Sequence, residues 1–253
     1  MTEVSKSTEF WKYSKGNKSF DTGNQPIILE SPLELVVNNQ HFINFICSPF
    51  AEEALALGFL WNQGWIENMD DVKQVCYQPD FRQIKVDIIN EPNNPRSLIR
   101  TTTGISLLQK TSNFNIKDPF SITPDNLIDF FQMFTSQQKY YQTMGGFHSA
   151  ALCDQNSIRI SVEDVGRHNC LDKLSGLFLL NDKSFSPKMM LLTGRISSEM
   201  FDKAKKLQVP IIVTKTTPTH NAVIEAIKSN ITIVGYLRSD SFTIFSHQER
   251  IQV

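Results

Sequence analysis

Apolar and polar positions first alternate regularly at Ile27-Ile-Leu-Glu-Ser-Pro-Leu-Glu-Leu-Val-Val, which predicts a strand after a polar tail over residues 1 to about 20. The turn Asn38-Asn39-Gln40 and the β-rich run from Phe42 to Cys47 make that strand half of a hairpin. Pro49 marks a helix start. Ala54, Leu57, Gly58 and Trp61 then recur at i, i+3, i+4 and i+7, so a helix from Phe50 to about Asn62 lays one apolar face on the hairpin. Strands near Val72 to Tyr77 and Ile84 to Ile89 close an N-terminal α+β lobe over 21–95.

Asn90-Glu-Pro-Asn-Asn-Pro-Arg is punctuation, and the weak periodicity that follows reads as a mobile inter-lobe loop over 96–122, either functional or a slack connector. Thr123-Pro124-Asp125 opens a helix, with Thr as cap and Leu127, Phe130, Phe131 and Phe134 as its buried stripe. Gly145-Gly146 turns the chain into a hairpin, Ala150 to Leu152 with Ser157 to Val162. Three strand–loop–helix crossings follow, at Asp164 to Leu180, Met189 to Leu207 and Pro210 to Lys228. Strands at Ile231 to Tyr236 and Phe242 to Phe245 finish an α/β domain over 123–253.

Each crossing sets a cation where its strand ends: Arg167 and His168, then Arg195, then Lys215. Parallel topology brings such ends to one crevice, where helix N-termini offer unpaired N–H groups to phosphates. In the first crossing, Gly166 admits a close backbone approach, Arg167 forks onto an anion, His168 donates and Asn169 caps. The bland alternative is that Arg167 pairs with Asp164 or Glu163 and His168 is a satisfied helix-start residue. The second crossing repeats the logic with Gly194, Arg195 and Ser197, and the third with Lys215 and Thr219. Ser197 or Ser198 also serves as a plain helix cap. His148 either lines the pocket or is a hydrogen-bonded core histidine.

Composition narrows the chemistry. The 253 residues are 40% hydrophobic and 20% charged, which is ordinary globular protein with room for one or two domains. A net charge of -1 argues against a nucleic-acid partner, so anion recognition is local to a site. The longest apolar run, Ala54 to Trp61, is eight residues where a membrane span needs about twenty, and the first sixteen residues have no signal-peptide core. The expectation is a cytoplasmic protein with no membrane partner. Cys47, Cys76, Cys153 and Cys170 are irregularly spaced, which gives no disulfide framework and no zinc pair. Zinc-deaminase, Gly-x-Ser-x-Gly, Walker and Gly-x-Gly-x-x-Gly signatures are absent.

The runs Thr143-Met-Gly-Gly-Phe-His-Ser-Ala-Ala, Asp164-Val-Gly-Arg-His-Asn-Cys-Leu-Asp-Lys, Thr193-Gly-Arg-Ile-Ser-Ser-Glu-Met, Lys215-Thr-Thr-Pro-Thr and Ser246-His-Gln-Glu-Arg-Ile, with Ile46-Cys-Ser-Pro, together resemble the FdhD/NarQ family. Members are formate dehydrogenase accessory proteins. They pass sulfur from a cysteine desulfurase to the bis(molybdopterin guanine dinucleotide) molybdenum cofactor before it enters the dehydrogenase. The resemblance implies a cytidine-deaminase-like α/β/α fold for the C-terminal domain, a homodimer, and cysteine desulfurase and formate dehydrogenase as partners. It also implies cofactor contacts at Tyr236, Leu237, Arg238, Ser239, Asp240 and Ser241, with a guanine nucleotide as a mimic.

One departure bears on activity. The family carries Thr-Ser-Ser-Cys-Gly-x-Cys-Gly in the inter-lobe loop, and here Thr103 and Ser106 stand at the cysteine positions. A hydroxyl neither forms an S–S bond nor ionises near neutral pH. Cys170, beside Arg167 and His168, is either a substitute thiolate or a small hydrophobe packed with Leu174 and Leu177. Two functional readings follow: a sulfurtransferase that carries sulfur to the cofactor, or a sulfur-transfer-inactive scaffold or chaperone that binds cofactor alone.

Overall fold

Residues 3–89, 98–101, 104–107, 115–181 and 185–253 are described by the structure, a computed structural model. The chain opens on β1 (Ser5–Ser14) and β2 (Ser19–Ile28), a long antiparallel hairpin where the sequence suggested a polar tail. Most of its residues are polar or exposed on both faces and none is buried, so the one-sided alternation that betrays a half-buried strand is missing. Next come β3 (Ser31–Val37), β4 (Gln40–Cys47), α1 (Glu52–Asn62), β5 (Val72–Gln78) and β6 (Gln83–Ile88). The strands form one four-stranded sheet in the order β4-β3-β6-β5, knit by parallel pairing of β3 with β6. β7 (Leu98–Thr101) and β8 (Gly104–Leu107) make a short hairpin inside the expected inter-lobe loop. The end of that loop is packed: Ile116 is buried, its N–H donates to the Ser229 carbonyl at 2.9 Å, and Lys188 pairs with Asp118 at 2.6 Å.

The C-terminal half contains α2 (Pro124–Ser136), α3 (Lys139–Met144), β9 (His148–Cys153), β10 (Ile158–Asp164), α4 (Arg167–Leu180), β11 (Met189–Leu192), α5 (Ser198–Lys206), β12 (Ile211–Thr214), α6 (His220–Ser229), β13 (Thr232–Gly235) and β14 (Thr243–Ser246). Thr123 caps α2 by accepting the Asn126 N–H at 3.3 Å, and Leu127, Phe131 and Phe134 are buried as the stripe predicts. Phe130 is only partly buried against the same cluster. The sheet is mixed, in the order β10-β9-β11-β12-β13-β14.

Alternate residues of its strands supply two cores. Ala151, Cys153, Met189, Leu191, Ile211 and Val213 meet α2 on one face. Ala150, Leu152, Met190, Leu192 and Ile212 join α4, α5 and the N-terminal sheet on the other. The fold is therefore α/β, with helices on both faces of the larger sheet.

α1 departs from its predicted role. All its residues but Glu53 are buried, and it packs against α4 as well as β5 and β6 rather than laying one face on a hairpin. A helix apolar all round belongs inside a core. Its contact with α4 is backbone to backbone: a Cβ on Gly58 would lie 1.7 Å from the Asp172 carbonyl oxygen, and one on Gly176 would lie 1.9 Å from that of Ala54.

Candidate functional site

Strand direction gathers the predicted cations. β9 is antiparallel to both β10 and β11, and β11, β12 and β13 run parallel. The carboxyl ends of β10, β11, β12 and β13 therefore lie along one sheet edge. β9 starts at that edge, with His148 in register opposite Asp164. The first and second crossings are thus not neighbours, because β9 lies between them and contributes His148.

The loops along this edge are tied to one another. The Lys215 N–H donates to the Leu192 carbonyl at 3.1 Å, the Thr214 hydroxyl to the Gly194 carbonyl at 2.7 Å, and the Thr219 N–H to the Ile196 carbonyl at 2.8 Å. The Tyr236 N–H donates to the Thr216 carbonyl at 2.6 Å. Such cross-links hold the cation-bearing turns in place without a ligand.

The two carboxylates beside Arg167 are engaged elsewhere. Asp164 is fully buried; its Oδ1 accepts from the Gly166 N–H at 2.8 Å and the Asn169 amide at 2.9 Å, and its Oδ2 from the Ser48 N–H at 3.0 Å. Oδ2 also pairs with Lys173 at 2.6 Å, and Lys173 donates to the Ser48 carbonyl at 3.0 Å. Glu163 caps α3 by accepting the N–H groups of Tyr140 and Tyr141 at 2.9 and 2.8 Å. Neither acid pairs with Arg167, whose Nε is buried without a hydrogen-bond partner.

His148 Nδ1 is likewise buried and unpartnered. Gly194 lies against both residues, since a Cβ there would come within 3.2 Å of Arg167 Cβ and Cδ and 3.3 Å of His148 Nδ1. Burial, then the neighbouring Arg195 cation, lowers the Arg167 pKa. Burial, then Arg167, lowers that of His148. Arg195 and Lys215 are exposed, and among the described residues neither has an acidic partner. The site has excess positive charge and two unspent polar nitrogens, the electrostatics of an anion receptor.

Other expected site residues do structural work. His168 Nδ1 sits 3.6 Å from Glu199 on α5, and burial with the nearby Lys203, Arg167 and His148 holds its pKa down at about 3, so it is a neutral imidazole. The Asn169 amide donates to the Ile46 carbonyl at 2.8 Å as well as to Asp164, which locks it to the N-terminal sheet. A Cβ on Gly166 would meet that amide at 2.8 Å, so the glycine makes room for Asn169. Ser197 and Thr219 accept the N–H groups of Met200 and Ala222 and so cap α5 and α6. Leu237 is buried in the second core, and Arg238 turns back onto the Lys215 and Leu237 carbonyls at 2.7 and 2.9 Å. Tyr236, with a left-handed φ of 52°, is exposed, as are Ser239, Asp240 and Ser241.

The thiols are mostly withdrawn from chemistry. Burial raises Cys170 well above the usual thiol range, and its Sγ donates to the His148 carbonyl at 3.2 Å. Cys47 and Cys153 are pushed up to about 12, again by burial, and Cys76 is half-buried on β5. Sequence reasoning missed the Ser48–Asp164–Lys173 cluster and a second one, in which Asp172 accepts from Asn62 at 2.8 Å and pairs with Lys203 at 2.6 Å. The available signal was charge, Asp172-Lys173, set among the apolar residues of a helix.

The FdhD/NarQ family model matches residues 28–252. The chain belongs to the FdhD/NarQ family. It is 31% identical over 255 residues to the sulfur carrier protein FdhD of Bacillus subtilis (strain 168), covering 96% of both chains. It is 34% identical over 263 residues to that of Staphylococcus aureus (strain MRSA252), covering 98% of this chain and 97% of the relative. Its fold matches the crystal structure of a Desulfotalea psychrophila protein described as a formate dehydrogenase accessory protein, with a TM-score of 0.85 and 22% identity over 99% of this chain and 100% of the other. Of the two family cysteine positions, Thr103 lies outside the described residues and Ser106 falls in β8. Among the described residues, no helix is long and apolar enough to cross a membrane.

Proposed function

We infer that this FdhD/NarQ chain is a cytoplasmic, homodimeric accessory protein for a formate dehydrogenase, and that it binds the bis(molybdopterin guanine dinucleotide) molybdenum cofactor at the sheet edge. The observation that carries this reading is the pair of buried, unpartnered nitrogens, Arg167 Nε and His148 Nδ1, on two side chains that both pack against Gly194. An unsatisfied buried polar group costs about 1–3 kcal/mol, and a phosphate oxygen satisfies it. Arg167 and Arg195 would hold a pyrophosphate by charge-assisted hydrogen bonds, with Lys215 as a further point charge and His148 as a neutral hydrogen-bond partner. Exposed Tyr236 and the turn to Ser241 adjoin this edge and suit the rest of a guanine nucleotide.

Guanosine diphosphate titrated into the protein in a calorimeter is expected to bind. Arg167→Ala should weaken it roughly 10- to 100-fold, the worth of a hydrogen bond to a charged group, with an unchanged circular dichroism spectrum. No binding by the wild type, or equal affinity in the variant, overturns the assignment.

A second reading concerns sulfur. Three of the four thiols are buried, and the family cysteine positions hold Thr103 and Ser106. This favours a chain that holds cofactor without relaying sulfur from a cysteine desulfurase. Incubated with a desulfurase and cysteine, the protein is expected to keep its unmodified intact mass. A persulfide on any cysteine that is passed on to the cofactor rejects this reading and restores the carrier role.

A further inference from the structure

The β1–β2 hairpin stands outside both cores, and neither strand contributes a buried residue. Its base is fastened to the body. The Ile28 side chain reaches Gly146, where a Cβ would lie 3.0 Å from it, and β2 packs against α3; the Leu29 N–H, donating to the Val4 carbonyl at 3.0 Å, closes the open end of the hairpin. Further out, Trp11, Tyr13 and Phe20 are 63%, 54% and 68% exposed. Tyr13 pairs with Phe20 and Trp11 with Thr22, and because opposed and i, i+2 residues share a face, all three rings lie on the same side of the arm. The Tyr13 and Phe20 ring centroids are 5.4 Å apart.

A two-stranded hairpin is marginal in water unless a third element covers an apolar face. A contiguous exposed aromatic patch on a soluble protein marks a contact surface. We propose that this face docks on a second copy of the chain, the two arms crossing reciprocally about a two-fold axis. The proposal rests on the dimeric part of the functional reading above and assigns the surface that makes it.

Area selects the occupant. At about 150–250 Å² per aromatic side chain, the three rings leave roughly 350–400 Å² exposed. A one-sided partner that takes one arm buries about twice that in total, which is the size of a crystal-packing contact. A two-fold pair engages both arms and both receiving surfaces, for a total of roughly 1,400–1,600 Å², a standard-size stable interface. Strand addition along the arm is disfavoured, because Lys6 and Lys12 lie on β1 and Pro26 lies on β2. A lipid surface fits less well. The turn leading the arm is Lys15-Gly-Asn-Lys18, and the rings sit behind it on the strands, so the charged turn would have to enter the bilayer first.

Sedimentation velocity on the full chain tests this, with the variants Trp11→Ser/Phe20→Ser and Trp11→Lys alone. Both substitutions fall on exposed positions, so the fold, read by circular dichroism, and guanosine diphosphate binding should be retained. The expected result is a wild-type dimer whose dissociation constant rises at least about tenfold in each variant, while Met133→Ser, exposed on α2, leaves it unchanged. A dimer undiminished by either variant removes the arm from the interface but leaves the dimer standing. A monomeric wild type overturns both the arm proposal and the dimer, and leaves the nucleotide site untouched. A monomer that co-sediments with anionic vesicles assigns the rings to lipid and also overturns the proposal.

Discussion

Asp164→Ala is expected to lower the free energy of unfolding by about 3–5 kcal/mol, the cost of stranding one member of a buried ion pair. Both Asp164 and Lys173 are fully buried, so solvent does not screen their contact at 2.6 Å. The carboxylate also takes hydrogen bonds from Ser48 in the N-terminal half and from Gly166 and Asn169 at the start of α4. Its removal leaves the Lys173 ammonium with the Ser48 carbonyl at 3.0 Å and the Phe50 ring, whose centroid is 4.1 Å away. Urea denaturation followed by circular dichroism measures the loss. The double variant Asp164→Ala/Lys173→Met should recover part of it, because no uncompensated charge remains. A loss below about 1 kcal/mol for Asp164→Ala would mean that the pair is not closed in the folded protein.

The second large effect is expected at the α1–α4 crossing. Gly58→Ala places a methyl carbon 1.7 Å from the Asp172 carbonyl oxygen, and Gly176→Ala places one 1.9 Å from that of Ala54. Alanine is the better helix former by about 1 kcal/mol, so propensity alone predicts stabilisation. Sterics win, because both obstacles are backbone and the two helices must move apart, which opens the core they share. Each variant should lose about 3 kcal/mol, at the upper end of overpacking costs. Gly16→Ala is the control, since nothing lies within 4 Å of its new methyl. Equal melting temperatures for Gly58→Ala and Gly16→Ala would refute the close crossing.

These two sites show how the halves of the chain are joined. α1 and the Ile46-Cys-Ser-Pro turn belong to the N-terminal half, yet the first supplies the crossing with α4 and the second completes the Asp164 cluster. That cluster fixes the Gly166–Arg167 turn, so the proposed anion site borrows its rigidity from residues more than a hundred positions upstream, such as Ser48.

Features written in local periodicity and local caps could be read from the residues alone. The α2 start at Thr123-Pro124, the strands of the C-terminal sheet and the cation at each strand end were all legible, because turn chemistry and apolar spacing act within a few residues. The FdhD/NarQ membership was legible in the same way, from runs of consecutive residues. The β1–β2 arm was not, since it is exposed on both faces and lacks one-sided alternation. Neither was the burial of every α1 residue but Glu53, because an apolar run does not say which neighbour covers it. Chain packing sets which carboxylates are spent on helix caps and on Lys173, and so leaves Arg167 Nε and His148 Nδ1 without partners. Those pairings join residues far apart in sequence and depend on strand order and helix crossing, which carry no local signal.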